Sequence, residues 1–195
     1  MQKAFAINYF GIFFAAKYKI AAMLKNGGGS VVNISSGCGL RGEYSVAAYT
    51  ATKHAICGFS KCAALDYARE NIRVNCVCPG VTNTPMFAMN KERDPAACQH
   101  LVEQNPMKRM MDPREIAHPA VWLCSEGASS VNGVEFVVDG AHTPDKQPAG
   151  GVLETPPALL PLLSKRQFLV KQRHLPSVSH FLLFICFPGV PFQHR

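Results

Sequence analysis

Val31-Val-Asn-Ile-Ser-Ser36, Gly37-Cys-Gly-Leu-Arg-Gly42 and Ser45-Val-Ala-Ala-Tyr-Thr-Ala-Thr-Lys53 follow one another almost without a gap, and their order decides the fold. The first piece is a short apolar run ending in hydroxyls, the pattern of a buried parallel strand. The second is rich in glycine and reads as a loop. The third opens a helix expected over residues 45–70, which carries Ile56, Phe59 and Leu65 as well. Strand, loop and helix in that order make the repeating unit of an α/β sheet, whose reactive groups gather at the carboxyl ends of the strands. Ser36 stands at such an end.

Tyr49 and Lys53 are four residues apart, so a helix puts phenol and ammonium on one face, one turn apart, within reach of the same bound molecule. A free tyrosine, with a pKa near ~10, is a poor acid or base at neutral pH and needs its phenolate stabilised. At an effective dielectric of about 20 and roughly 5 Å, one cation contributes on the order of 3 kcal/mol, about two pKa units. The expectation is therefore that Lys53 lowers Tyr49 toward working range. Ser36, thirteen residues before Tyr49, can hold a substrate oxygen while the tyrosine exchanges its proton. An alcohol or carbonyl is the natural target. A lone Tyr-x-x-x-Lys would be weak in a chain with 5 tyrosines; the strand and loop before it give it weight. His54 is adjacent to Lys53 but points about 100° away on a helix, and it reads as a bystander.

Working outward, residues 2–25 place Phe5, Tyr9, Ile12, Phe13, Ala16 and Ile20 at helical spacing with lysines between, which suits one amphipathic helix. Gly27-Gly-Gly29 then reads as its C-terminal cap and turn. Further strands are expected at residues 72–78 and 134–138. Residues 79–104, with Pro85 and Pro95, read as a mobile loop whose Met86, Phe87 and Met89 suit either a partly hydrophobic substrate or packing under the loop. Asp112-Pro-Arg-Glu115 is an N-cap, a first-position proline and a capping-box glutamate, opening a helix through Trp122 toward Glu126.

With these motifs in order, the chain resembles the short-chain dehydrogenase/reductase family. The resemblance runs from near Met1 to about Gly140. It rests on Ile7-Asn-Tyr-Phe-Gly11, Asn33-Ile-Ser-Ser36, Tyr49 with Lys53, Pro79-Gly-Val-Thr-Asn-Thr84 and Val137-Val-Asp-Gly140. It implies that Tyr49 is the acid/base, Ser36 the substrate-oxygen ligand, and Lys53 both the tyrosine's partner and a ligand of the nicotinamide ribose. Asn8 would hold a water in the proton relay. Tyr49, Lys53, Pro79, Gly80, Val81 and Thr84 make up the implied nicotinamide side, with backbone near Val81 and the Thr84 hydroxyl recognising the carboxamide.

The same resemblance implies a Rossmann-like, doubly wound parallel sheet, of which residues 1–144 supply the C-terminal half, from the fourth helix to the seventh strand. The family's Thr-Gly-x-x-x-Gly-x-Gly turn, which holds the cofactor pyrophosphate, is absent from the sequence. Only the nicotinamide half of an NAD or NADP site is therefore expected, and the residues that choose between the two lie outside the resemblance. Two functions follow. One is an NAD(P)-dependent oxidoreductase interconverting a secondary alcohol and a ketone. The alternative is an inactive fragment acting as an interaction or dimerisation module through the two long helices, which in the family also form the main homo-oligomer contact.

Residues 145–195 change character. Pro156, Pro157, Pro161, Pro176, Pro188 and Pro191 interrupt every apolar run, and an irregular, disordered tail is expected. Residues 151–195 hold five Lys/Arg against one acid, so most of the net charge of +7 belongs to this tail. No nucleic-acid motif accompanies it. Phe181-Leu-Leu-Phe-Ile-Cys-Phe187 is shorter than the ~20 residues of a transmembrane helix, and no signal peptide is evident, so a cytoplasmic location is expected. The 8 cysteines show no Cys-x-x-Cys pair and no spaced His/Cys cluster; reduced core thiols and no metal site are expected.

Overall fold

A computed structural model of the chain describes residues 1–143. The expected tail over residues 145–195 lies outside the described residues. Three strands, β1 (Gly29–Ile34), β2 (Ile72–Pro79) and β3 (Glu135–Val138), pair in parallel in the order β1-β2-β3. Val31 faces Val74 and Asn33 faces Cys76 across the first pair; Cys78 faces Val137 across the second. Each strand falls within a residue or two of its expected position.

The amino-terminal helix has the expected extent but a different interior. It runs as α1 (Gln2–Phe5), a π-helical turn over Ala6–Phe10, and α2 (Gly11–Lys25), with helical backbone angles through both junctions. Asn8 is at the centre of the π turn, and its amide is aimed at α3 (Ala47–Asp66). α2 stops where the glycines begin. Gly27 takes φ +81°, and the Gly28 N–H returns 3.0 Å to the Met23 carbonyl, the closing bond of a Schellman cap.

α3 begins two residues later than expected and ends in a 3₁₀ turn, Ala68–Glu70. The stretch 79–104, where the family resemblance implies a substrate loop and a small helix pair, is mostly helical and holds two short helices. Thr84 and Asp94 cap α4 (Pro85–Arg93) and α5 (Pro95–Glu103), each with proline in the first turn where its missing N–H costs nothing. α6 (Pro113–Cys124) starts on the expected capping box of Asp112 and Glu115. It ends before Glu126, which instead opens a 3₁₀ turn.

Alternation along β2 explains the layers. Ile72, Val74, Cys76 and Cys78 face α2 and α3, whose Ala16, Ile20, Ile56, Ala63 and Ala64 complete that side of the core. Burial of an Ile or Val contributes about 1.5–3 kcal/mol. Arg73, on the other face, donates to the carbonyls of Leu123 and Ser125 and anchors the end of α6. Buried Asn75 donates to the Val131 carbonyl at 2.8 Å and accepts from the Val134 N–H at 3.0 Å, which delivers β3 to the sheet. Helices thus cover both faces of a parallel sheet, as the α/β expectation required. Among the described residues β1 pairs with β2 alone, so its other edge is open.

Ser35 and Gly39 fix the end of β1. The Ser35 hydroxyl donates 2.9 Å to the Lys53 carbonyl, and a Cβ built on Gly39 would collide with Ser35 Oγ and lie 2.9 Å from that same carbonyl. No side chain fits between strand end and helix. Gly39→Ala is expected to destabilise the fold by about 1–3 kcal/mol; a denaturant midpoint equal to that of the unchanged chain would contradict this close approach.

Candidate active site

Ser36, Tyr49 and Lys53 come together as the sequence leads one to expect. All three line an open cleft of about 670 Å³ at the carboxyl ends of β1 and β2. Ser36 follows β1 directly and caps the 3₁₀ turn Gly37–Gly39, its Oγ accepting from the Cys38 N–H at 3.2 Å. Acceptance there leaves the hydroxyl proton free for another partner. Tyr49 and Lys53 project from the first two turns of α3. Lys53 Nζ lies 5.4 Å from the centre of the Tyr49 ring and donates 3.1 Å to the Ile34 carbonyl.

The electrostatics differ from the expectation. Tyr49 is not lowered toward neutrality; burial raises its pKa above the usual tyrosine value, and only the Ser36 hydroxyl, which stabilises the phenolate, pulls it back. Lys53 is lowered, again by burial first, with nearby cysteine sulfurs opposing. The reason is geometric. The ammonium addresses the face of the phenol ring and a main-chain carbonyl, both of which suit a neutral tyrosine, while the cleft wall removes water from both groups.

Pro79, Gly80, Val81 and Thr84 line the same cleft. Gly80 is required there, because an added Cβ would meet the Asp139 Cβ at 2.7 Å and the Met111 Cε at 2.8 Å. Thr84 accepts from the Phe87 N–H at 3.3 Å and keeps its own O–H to donate. Asn8 is not among the cleft residues. Its Nδ2 donates 3.1 Å to Thr52 Oγ1, which donates 2.6 Å to the Tyr49 carbonyl, so Asn8 reaches the backbone of Tyr49 rather than its phenol. His54 is exposed, its Nδ1 bonded 3.0 Å to the Thr50 carbonyl one turn back, as a bystander would be.

Several cleft residues escaped the sequence reading. Arg41 and Glu43 enter from the loop before α3 with a 3.5 Å ion pair between them, and buried Nε and Nη1 of Arg41 have no protein partner among the described residues. His142 enters from beyond β3. Neither carries a local motif; only the tertiary fold brings them in. Met86, Phe87, Leu101 and Ile116 form an apolar wall of the cleft, which Met89 does not join. The structure also gathers thiols where spacing gave no sign of it: the sulfurs of Cys57, Cys76 and Cys78 lie within 4.8 Å of one another. Among the described residues no helix is long and apolar enough to cross a membrane.

Known proteins resemble this chain in sequence and in fold. The family model described as enoyl-(acyl carrier protein) reductase matches residues 1–143. Cyclohexanol dehydrogenase of Acinetobacter sp. (strain SE19) is 37% identical over 142 residues, covering 73% of this chain and 54% of that protein. The A-factor type gamma-butyrolactone 1'-reductase (1S-forming) of Streptomyces virginiae is 44% identical over 137 residues, 70% of this chain and 53% of that one. Among solved structures, levodione reductase superposes with a TM-score of 0.70 at 34% identity, covering 73% and 57% of the two chains. An actinorhodin polyketide ketoreductase with NADPH gives 0.65 at 35%, covering 70% and 56%. The chain spans a little over half the length of these relatives. A parallel α/β sheet, a serine at the end of one strand, a tyrosine and lysine one turn apart on the next helix, and these matches place the chain in the short-chain dehydrogenase/reductase family.

Proposed function

We propose that the chain carries the proton-transfer side of an NAD(P)-dependent oxidoreductase that interconverts a secondary alcohol and a ketone. The observation that carries this reading is the meeting of Ser36, Tyr49 and Lys53 on one cleft with the Pro79–Thr84 loop opposite. Ser36, whose hydroxyl proton is directed toward Tyr49 in the free chain, donates to the substrate oxygen when it is bound. Tyr49 gives its proton to that oxygen in reduction and takes it back in oxidation. Asn8, whose amide N–H is engaged by Thr52, retains an amide oxygen for the relay water implied by the family resemblance. The apolar wall of Met86, Phe87 and Leu101 fits a partly hydrophobic substrate.

The residues present fit the nicotinamide end of the cofactor. Thr84 has a spare O–H, and Tyr49 and Lys53 present a hydroxyl and an ammonium to the same cleft, whose floor includes the backbone of Gly80 and Val81. When bound, the nicotinamide supplies or accepts the hydride. The pyrophosphate end has no glycine-rich turn in this sequence, so this chain's own contribution is the half-site. Burial raises the Tyr49 pKa above the usual tyrosine value, so in the free chain the phenol is protonated at neutral pH and holds the proton that reduction requires.

A second feature supports association through the two long helices. Phe10, Phe13, Phe14 and Leu24 are exposed along the amino-terminal helix, and Phe13 stacks edge-on against Phe59 of α3 at 5.7 Å beside a groove of about 490 Å³. An apolar face of this kind is covered in oligomers. The same face would serve the chain as an interaction module if the cofactor does not bind.

Three outcomes are expected. NAD⁺ or NADP⁺ should raise the melting temperature saturably, and Tyr49→Phe should reduce that shift only partly while lowering turnover of a secondary alcohol about 10²–10⁴-fold. A folded chain whose melting ignores both cofactors would favour the interaction-module reading. In ultraviolet titration, with the Tyr49→Phe spectrum as baseline, Ser36→Ala should push the Tyr49 pKa higher still because it removes the group that lowers it; a downward move would contradict the geometry. Sedimentation should find the chain as a dimer or larger and Phe13→Asp as a smaller species, whereas a monomeric parent chain sinks the helix-pair interface.

A further inference from the structure

Cys57 lies one helical turn beyond Lys53 on α3, and Cys76 and Cys78 occupy alternate positions of β2, so that both strand residues point to the face α3 covers. The three sulfurs converge to within 4.8 Å of one another. All three cysteines are free, and their exposures are 3%, 0% and 0%. Isolated buried cysteines are ordinary core residues. Three sulfurs converging on one point from two elements amount to a set of donors.

We infer that Cys57, Cys76 and Cys78 form a three-sulfur site for one soft divalent cation of the zinc and cadmium class. Metal–sulfur bonds of about 2.3 Å in a trigonal array put the sulfurs about 4 Å apart, so the cluster needs to close by less than about 1 Å. A disulfide would join only two of the three and would require sulfurs at about 2 Å. Soft thiolates select this class of ion over calcium or magnesium, which prefer oxygen. Binding is balanced as one divalent cation and three thiols giving a tris-thiolate complex of charge −1 and three released protons.

That residual charge has a partner. Lys53 feels the field of all three sulfurs, and Lys61, itself paired with Glu135 at 2.7 Å, feels those of Cys57 and Cys78. Support from surrounding groups is also in place. The Cys57 thiol donates 3.3 Å to Ser35 Oγ, whose own hydroxyl holds the Lys53 carbonyl. An ion here would tie α3 to β2 directly beneath the cleft, between Ser36 and the Pro79 loop.

The test uses the full, reduced chain in which Cys38, Cys62, Cys124 and Cys186 are replaced by serine, leaving the cluster and the separate buried Cys98. Cd²⁺ is added and followed by sulfur-to-cadmium charge-transfer absorption, and the loaded protein is examined by X-ray absorption. The expected result is saturation at one Cd²⁺ per chain, three sulfur neighbours and a raised melting temperature. Cys57→Ala and Cys78→Ala should each weaken binding tenfold or more. No saturable band, a shell of oxygen or nitrogen, fewer than three sulfurs, or a folded Cys57→Ala chain that binds as before would each overturn the assignment. Should that variant not fold, the sulfur count on the folded parent decides alone.

Discussion

The hydrogen bond from Ser35 Oγ to the Lys53 carbonyl, 2.9 Å long, is the join on which the site depends. It ties the end of β1 to the second turn of α3 and so sets Ser36, the next residue, against Tyr49 and Lys53. Everything nearby respects it. Gly39 lacks a side chain because one would strike both partners, and Cys57 adds a third member by donating to the same Ser35 oxygen. Asn33 and Ser60 repeat the join one layer deeper, at 2.9 Å between buried groups. Each of these polar pairs is inside the fold, where leaving one member unsatisfied costs about 1–3 kcal/mol. The strand and helix therefore hold one register, and the cleft inherits its geometry from that register.

Most of this architecture is legible in the sequence because it is written in local signals. β2 reads as a strand from Ile72, Val74, Cys76 and Cys78 on one face; α6 announces itself with Asp112, Pro113 and Glu115; α2 stops at Gly27 because that position needs φ > 0. The four-residue spacing of Tyr49 and Lys53 survives into the structure for the same reason, since helical geometry alone imposes it. What escaped the sequence was tertiary. The π turn around Asn8 has no residue pattern of its own and follows from an amide finding Thr52 on another helix. Arg41 and His142 reach the cleft from loops that only the assembled sheet brings near. The three thiols belong to positions 57, 76 and 78, a spacing that resembles no metal motif, and they meet because α3 crosses β2.

The open edge of β1 bears on how this half of the fold stands by itself. The strand's burial pattern is that of an interior strand, with Val31 and Asn33 buried, yet among the described residues only one of its edges is paired. Ile34 is 42% exposed beside that edge, a large side chain at the mouth of the cleft. Unpaired edges attract other strands. The relatives are nearly twice as long as the matched stretch, and the sheet seen here has room for neighbours on that side. Exposed phenylalanines on the amino-terminal helix make a second adhesive surface on a different part of the molecule. Association through the helices leaves the β1 edge open, and association through the edge leaves the helices open.

The balance at Tyr49 shows how magnitudes decide between opposing effects. A cation roughly 5 Å from a phenolate in a medium of effective dielectric about 20 favours the charged form by on the order of 3 kcal/mol. Such a gain requires the ammonium to address the phenolic oxygen. Here it addresses the ring, 5.4 Å from its centre, while a main-chain carbonyl holds Nζ at 3.1 Å. Desolvation then acts on both partners in opposite senses, raising the tyrosine and lowering the lysine, and each shift favours the neutral form. With Nζ held by the Ile34 carbonyl and facing the ring rather than the phenolic oxygen, the lysine's charge does little for the phenolate, and burial decides the sign of the tyrosine's shift.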